Sequence, residues 1–465
     1  MSMNPAENRI PFESDDESAG GAEKGAGAAT ASHEANGDAD VLLPAQPEQN
    51  GAREMLSKVD WSTKTANESV ALLIDYAVQL KASDVFFSCE ENHIEVTVRQ
   101  LGMVRNLAKL SLELGIRCIA HIRAMSGLKI DERRRPQDGR WIFRRTSGET
   151  VDLRLNTLPT LWGETVATRI LPRNSDLWKL EKLGFVGPQL GQVENILSRP
   201  SGLVLVTGPT GSGKTTTMYA LLHHLNTGRL KIHTIEDPVE YSLEGCHQSQ
   251  VNEDFGAGFA ELLRAVVRQG PDVIMIGEVR DTATAETAVR AANSGQFVCA
   301  SVHAPVAVKA VQSMLALGCS PYMLCSSLMA VIGQRLIRTL DPENRVAIDL
   351  SSAPHTFDEV RPWLKQGQGE TVYATMAHGD ANAGYTGRSG VFELLVMTPA
   401  VQRMIREMQT ASNIFEQALA DGMIDFRRAA LLKVASGETS FDEMYRALPM
   451  SDEIESEPIA HPRPH

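Results

Sequence analysis

No apolar run in this 465-residue sequence approaches the roughly eighteen residues that a membrane-crossing helix needs, so no transmembrane segment is expected. The opening Met1-Ser-Met-Asn-Pro5 and the acidic residues behind it lack the basic flank and apolar core of a secretory signal. Cysteine is scarce. Cys89, Cys118, Cys246, Cys299, Cys319 and Cys325 are scattered, which argues against a disulfide frame and for buried thiols in a reducing compartment. Cys319 and Cys325 have no histidine cluster beside them, which argues against a metal site there. Lys and Arg number 45 against 58 Asp and Glu, for a net charge of −13. No basic stripe interleaved with aromatics is present, so a nucleic-acid surface is not expected. There is no internal repeat. The expected location is the cytoplasm.

What remains is a chain long enough for two or three domains, with an apolar fraction of 43%. Residues 1 to about 58 form an acidic, low-complexity tail that cannot bury enough apolar surface to fold alone. From 60 to 172 a helical pattern through Val70, Leu73, Ile74 and Ala77 gives way to alternating segments, Ser83–Ser88 and Ile94–Val98. A second helical pattern runs from Leu112 to Met125, and strands are expected at 140–143, 151–155 and 165–171. This reads as a small α+β domain, followed by a polar joint at Pro172–Asp176.

From 177 to 342 strands alternate with helices, which implies an α/β domain with a largely parallel sheet. Strands are expected at 203–207, 231–235, 272–278 and 297–302, with helices at 259–267 and 282–292. Residues 343–385 read as irregular, and 343–448 as a region that is mostly helical from Val401 onward. Residues 449–465 read as a second acidic tail without fixed structure.

One stretch organises the chain. Leu203-Val-Leu-Val-Thr207 is followed by Gly208, Pro209, Thr210, Gly211, Ser212, Gly213, Lys214, Thr215 and Thr216. This satisfies G-x-x-x-x-G-K-[ST] between a strand and a helix. The glycines let several N–H groups turn toward one anion, and the helix start adds its positive end. Lys214 can reach terminal phosphates. The motif places the Mg²⁺-binding hydroxyl directly after the lysine, which favours Thr215 over Thr216.

Hydrolysis also requires acids near that loop. Glu278 ends the apolar strand that follows Asp272, where a Mg²⁺-supporting carboxylate is needed. Glu236, Asp237 and Glu240 end the preceding strand and are placed to hold Mg²⁺ and polarise water. The principal base is either Glu240 or Glu278. His303 follows the strand 297–302 and can face a nucleotide. Arg140 and Arg154 lie in the preceding domain, and a guanidinium offers a bidentate grip on phosphate.

With these segments in place, residues 66–445 resemble the secretion and pilus motor ATPases, the hexameric assembly ATPases of type II secretion and type IV pili. Gly208–Thr217 looks like the family's Walker A, Thr234–Tyr241 its Asp box, Arg268–Asp281 its Walker B segment and Ala300–His303 its His box. Pro136–Arg140 and Asp152–Arg154 resemble its arginine-bearing segments, and Gly387–Leu395 its closing segment. The resemblance implies a RecA-like P-loop NTPase domain behind the α+β domain, with ATP and Mg²⁺ bound between them. It implies a homo-hexamer at the inner-membrane periphery, driven against a platform protein. It also strengthens His303, Arg140 and Arg154 as nucleotide-site groups.

The departures are specific. Gly295-Gln296 replaces the family's Gly-His, His303-Ala-Pro305 replaces His-Thr-Asn, and Phe86 replaces a histidine of the first domain. No cysteine follows Cys325, so the four-cysteine zinc module of many assembly members is not expected, nor is their folded N-terminal docking domain. A retraction motor, a RecA-type nucleic-acid motor and a regulatory subunit without turnover are the competing readings.

Overall fold

In a computed structural model, residues 56, 59–171, 178–350, 353, 355–375 and 384–448 are described. The two tails and the joint at 172–176 lie outside them. All described residues fall in one unit, Gly51–His465.

Helix α1 (Ala66–Gln79) begins at a capping box, in which the Thr65 hydroxyl accepts from Glu68 N while the Glu68 carboxylate accepts from Thr65 N. The alternating segments then become β1 (Asp84–Cys89), β2 (His93–Gln100) and β3 (Met103–Ser111). After α2 (Leu112–Met125) come β4 (Gln137–Arg144), β5 (Thr150–Thr160) and β6 (Gly163–Leu171). They form an antiparallel sheet in the order β3-β2-β1-β6-β5-β4. Both helices pack on one face through residues such as Leu73, Phe87, Val96, Ile122 and Leu153. The other face is polar, as the period-two pattern requires.

The second sheet begins after α3 (Gln189–Leu197) with β7 (Gly202–Thr207), α4 (Lys214–Leu225), β8 (Ile232–Glu236) and β9 (Cys246–Gln250). It continues through α5 (Phe259–Val267), β10 (Val273–Ile276), α6 (Thr282–Asn293), β11 (Phe297–Val302), α7 (Ala307–Ala316), α8 (Pro321–Ser327) and β12 (Leu328–Leu340). Strands β13 (Arg345–Asp349) and β14 (Thr371–Thr375) pair with each other, so the stretch read as irregular carries a small sheet of its own. Strand β15 (Tyr385–Val396) returns to the main sheet, and α9 (Pro399–Arg406), α10 (Ala411–Ala420), α11 (Phe426–Ala435) and α12 (Phe441–Ala447) follow.

The strand order is β15-β12-β7-β11-β10-β8-β9, parallel throughout except for β15. Strands β7, β8, β10 and β11 are buried along their whole length. Leu203 and Leu205 face the cluster built by α5, α6 and α7, while Val204 and Val206 face the one built by α4. The chain leaves β7 for a strand three places away, with β12 on the other side. The crevice at the carboxyl end of β7 is therefore where an α/β sheet binds ligands.

One buried acid ties the C-terminal helices to this sheet. Glu393 of β15 is 1% exposed and accepts hydrogen bonds from Ala307 N and from the Phe426 backbone, the first residues of α7 and α11. Burial pushes its pKa up to about 7. Because the folded value lies above the unfolded one, its contribution to stability is full at low pH and is lost as pH rises through about 7. Glu393→Gln should therefore stabilise the protein at pH 8 by on the order of 2 kcal/mol and change little at pH 5. Urea unfolding at both pH values measures this, and an equal gap at the two would refute it.

Candidate nucleotide site

Thr207 closes β7, and its hydroxyl donates to the carbonyl of Ala304, 2.8 Å away, which fixes the strand end against the segment after β11. The turn then needs Gly208 and Gly213. At Gly208 a Cβ would stand 2.3 Å from the Gln334 carbonyl oxygen, and Gly213 caps α4 at φ +90°. Behind the loop, Gln334 of β12 accepts from the Thr217 hydroxyl at 2.7 Å. Strand β12 thus braces the loop from one side.

Lys214 curls back over the loop, with Nζ donating to the carbonyls of Gly208 (2.8 Å) and Pro209 (3.2 Å). Burial lowers its pKa, and the nearby Glu278 carboxylate opposes that shift. The Ser212 hydroxyl is buried with no hydrogen-bond partner among the described residues. A cationic ammonium and an unsatisfied hydroxyl on one glycine-rich loop are groups that a bound anion can satisfy.

Glu278 lies at the carboxyl end of β10. His303 Nε2 is 2.6 Å from its Oε1, and Arg280 Nη2 is 2.5 Å from its Oε2. Arg280 also comes within 4.0 Å of Asp237. Glu240 is placed differently. Its Oε2 is buried, lies 3.4 Å from Arg154 Nη1 and accepts no hydrogen bond. Arg154 also donates to the Val239 carbonyl, so it crosses from β5 to the acidic segment after β8.

Two expected site residues are engaged elsewhere. Glu236 is 3% exposed, and its oxygens accept from Tyr219, Thr234 and Gln248. It therefore anchors α4 to β8 rather than offering an oxygen to a ligand. Arg140 forms a bidentate pair with Asp152 of its own sheet, at 2.9 and 2.5 Å, and contacts no residue of the loop. Those hydrogen bonds hold its pKa above the ordinary value. Neither partner was visible in the sequence, because Gln248 and Tyr219 reach Glu236 across separate elements.

The polar face of the first sheet holds a pattern that linear reading missed. Arg140 lies opposite Arg154, Arg154 opposite Arg169, Arg169 opposite Asp84, and Asp84 opposite Arg99. Four guanidinium groups and one carboxylate thus form a row across five strands. Like charges directly opposite one another destabilise a sheet, so such a row suits an anion brought to it. Only strand register, which the sequence does not print, shows that these arginines are neighbours.

Residues 62–446 match the family model described as "Type II/IV secretion system protein". The chain is 39% identical over 378 residues to type II secretion system protein E of Xanthomonas campestris pv. campestris. It is 40% identical over 375 residues to the type IV pilus assembly ATPase PilB of Pseudomonas aeruginosa. Each match covers 81% of this chain and 66% of the relative. Among solved structures, the fold is similar to the ATPase DotB of Legionella pneumophila, with a TM-score of 0.60, 18% identity, and coverage of 82% of this chain and 95% of that one. It is also similar to the pilus retraction motor PilT with bound ADP, with a TM-score of 0.56, 24% identity, and coverage of 83% and 98%.

Proposed function

The chain belongs to the type II/IV secretion system protein family, and on that premise we propose that it hydrolyses ATP to drive assembly of a type II secretion pseudopilus or a type IV pilus. The observations that support this reading are the Lys214 loop with Glu278 within electrostatic reach, the pairing of Glu278 with His303 and Arg280, and the reach of Arg154 from the first sheet to Glu240 after β8. The names of the two relatives support the biological output. The working form is a homo-hexamer at the cytoplasmic face of the inner membrane, bound through a platform protein. Among the described residues no helix is long and apolar enough to cross a membrane.

Lys214 and the loop N–H groups take the phosphates. Thr215 and Glu278 fit Mg²⁺, since a hydroxyl and a carboxylate are hard oxygen donors. When bound, Mg²⁺ neutralises phosphate charge. Glu240 is the better general base. Both Glu278 oxygens already have close partners, whereas the buried Glu240 Oε2, 3.4 Å from Arg154, accepts no hydrogen bond and keeps its acceptor capacity for a water O–H. His303 and Arg280 orient Glu278. Arg154 grips the terminal phosphate when the two sheets close on it, and reopening transmits force.

Steady-state hydrolysis by Glu240→Gln and Glu278→Gln tests this. Both should lose roughly 100-fold in kcat, and only Glu278→Gln should regain activity at raised Mg²⁺. Wild-type turnover in Glu278→Gln would remove the motor reading. Magnesium rescue of Glu240→Gln instead would exchange the two roles.

A further inference from the structure

Strand β9 lies beside β8 and parallel to it, yet the return between them, residues 237–245, contains no helix. Parallel neighbours are ordinarily joined by a helix, which satisfies its own backbone. A return without one leaves N–H and C=O groups that side chains must satisfy. This return carries Asp237 and Glu240.

The partners come from two glutamines of β9. Gln248 lies opposite Thr234 and Gln250 opposite Glu236, so both share the side of the sheet that holds Glu236 and Tyr219 of α4. Both ends of the Gln248 amide are engaged. Its Oε1 accepts from Leu243 N at 2.7 Å, and its Nε2 donates to the Tyr241 carbonyl at 2.9 Å and to Glu236 Oε1 at 3.0 Å. Gln250 Oε1 accepts from Val239 N at 3.3 Å. From α4, the Tyr219 hydroxyl donates to Glu236 Oε2 at 2.5 Å and accepts from Tyr241 N at 3.4 Å. The backbone is thus held at residues 239, 241 and 243, on both sides of Glu240. Trp178, the first described residue after the joint, packs on Tyr219 and Tyr241 with ring centroids 6.0 and 5.9 Å away, and Leu243 is buried in the same cluster.

We propose that Gln248 is a positioning residue for hydrolysis, acting through Glu240. The inference rests on the reading of Glu240 as general base. The side-chain hydrogen bonds of Gln248 go to Glu236, Tyr241 and Leu243, and none goes to the phosphate loop. It fixes the backbone from which Glu240 projects, so the carboxylate stays where it can take a water proton. An amide suits this place because one uncharged group must accept from an N–H and donate to both a carbonyl and a carboxylate. A carboxylate could not donate, and an ammonium could not accept.

Steady-state ATP hydrolysis by the full chain, with kcat and KM resolved, tests this. Gln248→Met keeps the length and removes the amide, while Glu236 retains Tyr219 and Thr234. It should lower kcat about tenfold and leave KM for ATP within about twofold, because the phosphate loop is untouched. Gln250 is exposed, so Gln250→Met keeps the fold, and it should lower kcat about threefold. The decisive variant combines Gln248→Met with Glu240→Gln. A residue that acts only through Glu240 should add less than about twofold to the loss caused by Glu240→Gln alone. Wild-type kcat in both glutamine variants would overturn the proposal. So would losses that multiply in the double variant, or a KM that rises as kcat falls, since either marks general damage to the site. Wild-type turnover in Glu240→Gln would instead remove the base itself, and the positioning role with it.

Discussion

Lys214→Ala is expected to lower kcat/KM for ATP by about 10³-fold, equivalent to roughly 4 kcal/mol of transition-state stabilisation. The lysine is the loop's own cation. In the structure it is folded onto the Gly208 and Pro209 carbonyls, 2.8 and 3.2 Å away, and half-buried. Burial already penalises its charge, with only Glu278 opposing. A phosphate in the loop removes that penalty, so lysine and anion stabilise each other, and more strongly as charge develops on the transferred group. Alanine leaves the glycine turn intact, so the fold should survive. Lys214→Arg should recover little, because a broad planar guanidinium does not match an ammonium curled over two loop carbonyls. Hydrolysis within tenfold of wild type in Lys214→Ala would mean that the loop is an ordinary glycine-rich cap.

The parallel sheet was legible because its strands are buried on both faces and so appear as unbroken apolar runs. Phe297–Val302 and Phe259–Val267 match their elements end to end, and β7, β8 and β10 lie within a residue or two of the expected segments. Strand β9, Cys246-His-Gln-Ser-Gln250, was not legible, since it is a polar edge strand with no buried residue. Strand β12 was missed for another reason. Gln334, Arg335 and Arg338 interrupt its apolar pattern, and the groups that satisfy them lie far along the chain. Gln334 meets Thr217, and Arg338 meets Glu443, 105 residues downstream.

The site divides in the same way. Lys214, Glu278 and the Gly208 turn follow from local spacing, and the structure brings Lys214 and Glu278 within electrostatic reach of each other. Arg140 and Glu236 looked equivalent to Arg154 and Glu240 in the sequence. They differ in what they meet in three dimensions: Asp152 holds Arg140 and Tyr219 holds Glu236, each within its own sheet region, whereas Arg154 and Glu240 pair with each other. Side-chain type is local, whereas the partner a side chain meets is not.

Glu443→Ala should cost about 3–5 kcal/mol of folding stability. Glu443 of α12 is fully buried. It takes the Arg338 backbone N–H at 2.8 Å and the Arg338 side chain at 2.9 and 2.7 Å. Arg446 adds two contacts at 2.6 Å. Burial alone would raise its pKa, but the hydrogen bonds from Arg446 and Arg338 outweigh it and hold the carboxyl below its ordinary value. With the folded pKa below the unfolded one, this contribution is present at neutral pH and is lost as pH falls through the folded value. Most of the cost arises at Arg338, 8% exposed, which loses its hydrogen bonds to the carboxylate; Arg446, 43% exposed, adds little. Arg338→Met combined with Glu443→Leu should therefore recover most of the stability, because an apolar pair needs no partner. Urea midpoints of the single and double variants measure this. A double variant no more stable than Glu443→Ala would show that α12 needs the carboxylate itself, and an undiminished Glu443→Ala that α12 is not seated through Glu443.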